Sequence, residues 1–435
     1  MTPERVIINY FATAGLWTLA AALIWGVNTL FLLDAGLDIF GVFIANASFT
    51  VGSVLFEIPT GVLADTRGRR ASFLLSVAIL FATTLAYVAV AEYGGGLAAF
   101  CIVSIFMGLG FTFYSGAVEA WLVDALKATD YKGSLDRVFA RGSMIVGAAM
   151  LIGAVAGGFL GGLNLSFPFI ARAALLVIVF ALAFWGMHDV GFTPRTIQMA
   201  QLPQEIRTVA RSSISFGWGN RSVRLLMAVS FIQFGFLSWG FYAWQPYFLE
   251  LLGRDAIWVA GVVAALISLS MIAGNMMVDW FSRFCGRRTT MLFWAGAIQT
   301  VAAMGVGFAG DFWLAVLCLT IVTGAMGVTG PVKQAYLHQL IPTEQRATVI
   351  SFDSMMGSAG GIVGQSGLGF LSRARSISDG YVMGGLVTIF ALPVVFFLRN
   401  LGEEGDKFAG EKAGAKSTCA PQGAPTISQM DGRAV

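Results

Sequence analysis

Charged side chains are scarce. Only 12% of the 435 residues are Asp, Glu, Lys or Arg, while 57% are hydrophobic. An ordinary soluble domain carries about 25% charged residues, so a water-soluble globular protein is excluded. Histidine is nearly absent, and His188 and His338 alone make no convincing metal centre. The four cysteines, Cys101, Cys285, Cys318 and Cys419, show neither a close pair nor a metal-ligand spacing, and free thiols are expected. No glycine-rich loop is built to cradle a phosphate, which argues against ATP-driven work. No Ser/His/Asp set or paired-cysteine motif stands out, so neither an enzyme nor a cofactor nor a metal is expected. The net charge of +3 gives no reason to expect a nucleic-acid partner. A cleavable signal is missing as well. The first apolar run is followed by Asp34 and Asp38 rather than by small residues, and is expected to stay as a membrane span.

What remains is hydrophobicity in blocks of about twenty residues, each long enough to cross a hydrocarbon core of about 30 Å. Continuous runs without strict alternation select helices over a β-barrel. The runs predict spans over 12–33, 42–63, 71–91, 97–122, 140–162, 167–187, 225–250, 256–278, 289–309, 312–335, 347–371 and 379–398. Twelve spans put both ends on one side. Arg5, Arg69, Arg70, Lys132, Arg137, Arg141, Arg224, Arg287, Arg288, Arg346 and Arg399 fall on that side, and only Arg254, Arg373 and Arg375 on the other. Short loops rich in Lys and Arg stay in the cytoplasm, so both termini are expected there, in an inner or plasma membrane. The longest polar stretch divides the chain into residues 1–187, a linker at 188–224 and residues 225–400. Within the linker, Ile206, Val209 and Ala210 share one helical face, as in a short helix on the membrane surface. Residues 401–435 turn rich in Gly, Ala, Lys and Ser and read as a disordered tail.

The halves repeat one another. Gly61-Val-Leu-Ala-Asp65-Thr-Arg-Gly68-Arg69-Arg70 follows the second span, and Gly274 to Asp279 followed by Gly286-Arg287-Arg288 comes after the eighth. Ser115-Gly116-Ala-Val-Glu119 in the fourth span echoes Thr329-Gly330-Pro-Val-Lys333 in the tenth. In the first copy Gly61 permits close helix packing, Asp65 needs a charge partner, Gly68 allows a tight turn, and Arg69 and Arg70 anchor at headgroups. This segment resembles the loop signature between helices 2 and 3 of the major facilitator superfamily. The fifth span, with Gly153, Gly157, Gly158, Gly161 and Gly162, resembles the glycine-rich helix 5 of the superfamily's antiporters, although Gly158 stands where proline is usual. The resemblance covers roughly residues 5–400 and leans toward the drug-exporter-like branch. It implies an all-α membrane protein of two pseudo-symmetric six-helix bundles that open alternately around a midplane site.

A charge at the bilayer centre costs at least about 2.5 kcal/mol, so Glu57, Glu119, Arg172, Lys333 and Asp353 inside apolar runs need a reason. Glu119 and Lys333 occupy matching places in helices 4 and 10 and are expected to pair across the bundles, with Glu119 taking up and releasing a proton. Glu57, on one face with Gly61 and Asp65, is assigned to a cytoplasmic gate with Gly68, Arg69, Arg70, Asp279 and Arg346. Arg346 is the expected partner of Asp65. Asp353 is expected to pair near the loop signature or the cytoplasmic end of its helix, and Arg172 to be structural. Trp25 and Asn28 of the first span and Trp239, Tyr242 and Gln245 of the seventh suit a cavity for apolar or cationic organic molecules. The function expected is monomeric, proton-coupled efflux of a small organic compound. Uptake of a small anion or nutrient against Lys333 is the alternative, and a non-transporting receptor or scaffold the reading from another class.

Overall fold

A computed structural model describes residues 2–192, 211, 217–253, 256–341 and 346–408, without the side chains of residues 136 and 346–348. Among the described residues the first half forms α1 (Pro3–Trp25), α2 (Asn28–Asp34), α3 (Ile39–Arg67), α4 (Arg69–Glu92), α5 (Gly96–Tyr114), α6 (Ala117–Ala128), α7 (Leu135–Leu163) and α8 (Phe167–Gly186). The second half forms α9 (Arg221–Leu252), α10 (Ile257–Met276), α11 (Val278–Cys285), α12 (Arg288–Phe308), α13 (Phe312–Leu340), α14 (Arg346–Ala374), α15 (Ile377–Ile389) and α16 (Ala391–Asn400). The proposed linker helix and residues 409–435 lie outside the described residues.

Among the described residues eleven candidate spans are long and apolar enough to cross a membrane, counting α5–α6 and α15–α16 as one each. The twelfth is α14, whose 29 residues reach about 43 Å. Its sequence is too polar to qualify alone because Ser351, Asp353, Ser354 and Ser358 line an internal cavity. Polar caps start several spans. Asp38 accepts from Gly41 N, Asn220 from Ser222 N and Val223 N, and Asp311 from Trp313 N and Leu314 N. Each satisfies donors that the first helical turn leaves free.

Among the described residues three spans are broken, one of them the last, at Phe390 between α15 and α16. The first is interrupted at Gly26–Val27 between α1 and α2. The fourth breaks at Ser115–Gly116, where Gly116 takes a left-handed φ of 72°. The matching place in α13 stays continuous but contains Pro331, which has no N–H to offer the preceding turn.

The cores show how the halves meet. One contains only residues from Val6 to Met187, and another only residues from Val223 to Leu398. A third joins Leu30, Phe43 and Ala154 of the first half to Trp239, Trp244 and Tyr381 of the second. This shared core lies at the end of the bundle away from the chain termini. The halves are therefore fused at that end, the outer end in the expected orientation, and a cavity lies between them toward the opposite, inner end, where α1 and α9 begin.

Residues 401–408, expected to belong to a disordered tail, fold back on the inner end of the second half. Asp406 is 2% exposed and accepts from Thr289 N at 2.8 Å and Thr289 Oγ1 at 2.7 Å. Arg288 donates to the carbonyls of Gly405 and Lys407, and Ser222 to Glu403. The Gly- and Lys-rich composition of the tail concealed a capping aspartate. The first half does the same, since Asp189, just beyond α8, accepts from Arg70 N at 2.9 Å and so caps α4.

Candidate transport cavity

Two cavities share the α14 wall. One of about 410 Å³ is lined in part by Ser230, Gln233 and Phe234 of α9, Gln299 of α12, Lys333 of α13, and Asp353, Ser354 and Ser358 of α14. The other, about 450 Å³, lies between the halves, lined by Ser53, Val54 and Glu57 of α3, Phe111, Ser115, and Ile350 to Ser358 on one face of α14. Ser354 and Ser358 border both. The first is lined by second-half residues alone, and only the second lies between the halves.

Lys333 is held inside its own half. Its Nζ lies 2.9 Å from Asp353 Oδ2 and donates to Ser230 Oγ at 2.5 Å, while Ser230 Oγ donates to Asp353 Oδ1 at 2.5 Å. The side chains are 22% and 11% exposed, so the pair is largely desolvated. Breaking it would leave an expensive unpaired charge. The expected pairing of Lys333 with Glu119 is absent here because Asp353 is nearer. Spans 10 and 11 are consecutive, and each carries one opposite charge near its inner third. That signal was available in the sequence, where Asp353 was instead assigned elsewhere.

Glu119 sits in the first turn of α6, half-buried, close enough to Tyr10 and Tyr114 to act on their hydroxyls electrostatically. Tyr114 stacks flat on Trp17. Glu119 has no ion pair among the described residues. The break at Gly116 gives the carboxylate a helix N-terminus, where free N–H groups favour negative charge. Glu57, assigned from sequence to the gate, instead lines the cavity between the halves. Arg172 is 7% exposed and lies near Tyr87, packed inside the first half.

The gate residues form a local cluster. Asp65 pairs with Arg69 at 2.7 Å, one helical turn away, so the acid of the loop signature is satisfied within its own motif. Gly68 has φ 107°, and a Cβ there would stand 2.4 Å from Asp189 Oδ2, which is why no side chain fits. Arg70 donates to Phe184 O and lies over the Phe184 ring. Gly61 faces open space. Asp279 is exposed on the surface helix α11, and the extra residues before Gly286 displace it from the place Asp65 occupies. Arg346 opens α14, but its side chain is outside the described residues.

The aromatic and amide residues expected in the cavity seal the outer end instead. Gln245, fully buried, accepts from Thr29 N at 2.9 Å and donates to Trp25 O at 3.0 Å. It thus bridges the break in the first span from the opposite half. Thr29 Oγ1 donates to Tyr242 O, and Asn28 donates to Asn46. Trp239 packs among Phe43, Phe236 and Tyr381. Glycines close the remaining gap, since a Cβ on Gly158 would come within 2.6 Å of Gly261 Cα. Glycine where antiporters usually carry proline thus serves a backbone crossing between α7 and α10. Asp38 and Arg373 pair across the same end at 3.0 Å.

Broken first and fourth spans, a two-half architecture and a cavity between the halves are features that suit an alternating-access carrier. The sequence model of the Major Facilitator Superfamily matches residues 6–283 and 259–429. The chain belongs to the Major Facilitator Superfamily. It is a multi-pass membrane transporter, not an enzyme. It is 22% identical over 400 residues to the uncharacterized MFS-type transporter YxaM of Bacillus subtilis (strain 168), covering 89% of this chain and 94% of that one. It is 24% identical to the class G tetracycline resistance protein of Vibrio anguillarum, covering 80% and 85%. A crystal structure of a mutant of the nucleoside transporter NupG superposes with a TM-score of 0.77 at 10% identity, covering 90% of this chain and 99% of that one. The superfamily thus supplies the fold and the transporter class, while the passenger is a matter for the cavity.

Proposed function

We propose that this superfamily member is a proton-coupled secondary transporter that exports a small organic compound from the cell, with both termini in the cytoplasm. The observation that carries the reading is a cavity between the halves with Glu57 in its wall, and Glu119 in the first turn of the helix that begins just after the lining residue Ser115, neither carboxylate in an ion pair among the described residues. A carboxylate without a fixed counter-charge is free to exchange a proton as its surroundings change between the two states. The likeness to a tetracycline resistance protein supports export.

A second reading, uptake of a small anion or nutrient, is supported by Lys333 in the adjoining cavity. Purified protein in liposomes with an imposed pH gradient tests both. Export predicts that an outward flux of a neutral or cationic compound is driven by protons moving inward and is lost in Glu119→Gln. Flux that ignores the proton gradient defeats the coupling claim.

A further inference from the structure

We propose that Asp353 is a built-in stand-in for the carboxylate of an organic anion, and that protonating Asp353 hands Lys333 over to that anion. The inference rests on the secondary-transport reading and deepens its anion branch.

Lys333 is the cation of its cavity, and its ammonium already holds one carboxylate, Asp353, and one hydroxyl, Ser230. The rest of the wall is unusual for a merely structural ion pair. Gln299 is 2% exposed, borders the cavity and makes no side-chain hydrogen bond to any described residue. Gln233 and the hydroxyls of Ser354 and Ser358 also border it, less buried than Gln299, and likewise make no side-chain hydrogen bond to any described residue. Buried polar groups are normally paired, so Gln299 and its water-accessible neighbours are free to take a polar ligand. Between them Phe234, Leu237, Met271 and Met326 supply an apolar surface. One ammonium, several vacant hydrogen-bonding groups and an apolar wall fit a small organic carboxylate with a hydrocarbon or aromatic body. An organic cation would meet Lys333 and gain nothing from Asp353, which Lys333 already occupies.

The exchange balances in charge. One proton from the aqueous side adds to an Asp353 oxygen, and the resulting O–H can stay hydrogen-bonded to Ser230. The Lys333 ammonium keeps its proton and transfers its ion pair to the incoming carboxylate. One proton and one monoanion therefore move together without net charge. The charged groups facing Asp353 are Lys333 from α13 and, across the wall of Ser354 and Ser358, Glu57 from α3. Helices α9 and α12 present only the neutral Ser230, Gln233 and Gln299.

The test uses the full chain in lipid nanodiscs, with benzoate as the probe and benzamide as its uncharged control, read by thermal shift and tryptophan fluorescence. Wild type should bind benzoate more tightly at mildly acid than at mildly alkaline pH and ignore benzamide. Asp353→Asn removes the internal competitor, so benzoate should bind at both pH values, about tenfold or more tighter than wild type at alkaline pH. Benzoate should also stabilise that variant more than it does wild type, because it resupplies the missing counter-charge. Ser230→Ala, which takes one hydrogen bond from Asp353 and one from Lys333 but leaves their ion pair, should give a smaller gain in the same direction. Lys333→Gln should bind no benzoate. A folded Asp353→Asn or Ser230→Ala that binds benzoate no better than wild type, or equal binding of benzamide, overturns the proposal. Proton-driven flux of a neutral or cationic compound without benzoate binding sinks this inference and spares the transport reading. Absence of proton-driven flux for every compound sinks the transport reading itself.

Discussion

Gln245→Leu should unlock the outer end. The substitution keeps the side chain's bulk and removes both of its interactions. Thr29 N then loses its acceptor and Trp25 O its donor, at the one place in the first span where the helix cannot supply either. A buried polar group left unpaired costs about 1–3 kcal/mol, so the two together cost about 2–6 kcal/mol in the closed form. In an outward-open form water reaches both groups and the penalty vanishes. Even the lower figure of about 2 kcal/mol shifts the balance toward the outward-open form by roughly 30-fold. The assay is the labelling rate of a cysteine at Leu30, 9% exposed in the sealed core, by a membrane-impermeant maleimide added outside a variant lacking the native cysteines. The rate should rise at least about tenfold in Gln245→Leu. Gln245→Glu, which keeps an acceptor for Thr29 N, should fall between. An unchanged rate in well-folded Gln245→Leu would show that this glutamine does not hold the outer end shut.

Other outcomes follow from single contacts. Asp65→Asn should slow flux with little loss of folded protein, since the Asp65 side chain is 41% exposed and its ion pair is partly solvated; wild-type flux would remove the motif's acid from gating. Asp406→Ala should destabilise the second half by about 1–2 kcal/mol through loss of the α12 cap, measured as a lower melting temperature; an unchanged one would make the folded-back segment incidental. Gly158→Val should favour the outward-open form, because its side chain must push against Gly261; the Leu30 labelling rate reads this too. Cysteine labelling should place Arg69, Arg137 and Arg287 inside and Arg373 outside, and the reverse pattern would invert the orientation.

The spans were legible because each is a long apolar run between charged or capping residues, and most predicted boundaries fall within about five residues of a helix end, the start of the first span at Pro3 instead of 12 and the end of the fourth at Ala128 instead of 122 being the exceptions. The breaks at Gly26–Val27 and Ser115–Gly116 were not, since glycine inside an apolar run looks the same whether it packs or interrupts. The site was only partly legible. Placing Lys333 and Glu57 inside apolar runs identified charges in need of an explanation, but partners depend on which helices adjoin. Helix 11 packs on helix 7, and that neighbourhood, invisible in one sequence, gives Lys333 to Asp353 and Ser230 instead of Glu119. The aromatics of the seventh span misled for a similar reason. Their composition suits a cavity and a seal equally, and only the depth of the bundle contact separates the two.

Proton coupling is most directly tested by accumulation in liposomes holding wild-type protein or Glu119→Gln, with a compound panel offered under an imposed pH gradient. Wild type should concentrate at least one compound against its own gradient, collapse when a protonophore is added, and lose concentrating power in Glu119→Gln while exchange down a gradient persists. Accumulation that survives the protonophore, or a Glu119→Gln variant that concentrates as well as wild type, would contradict the account.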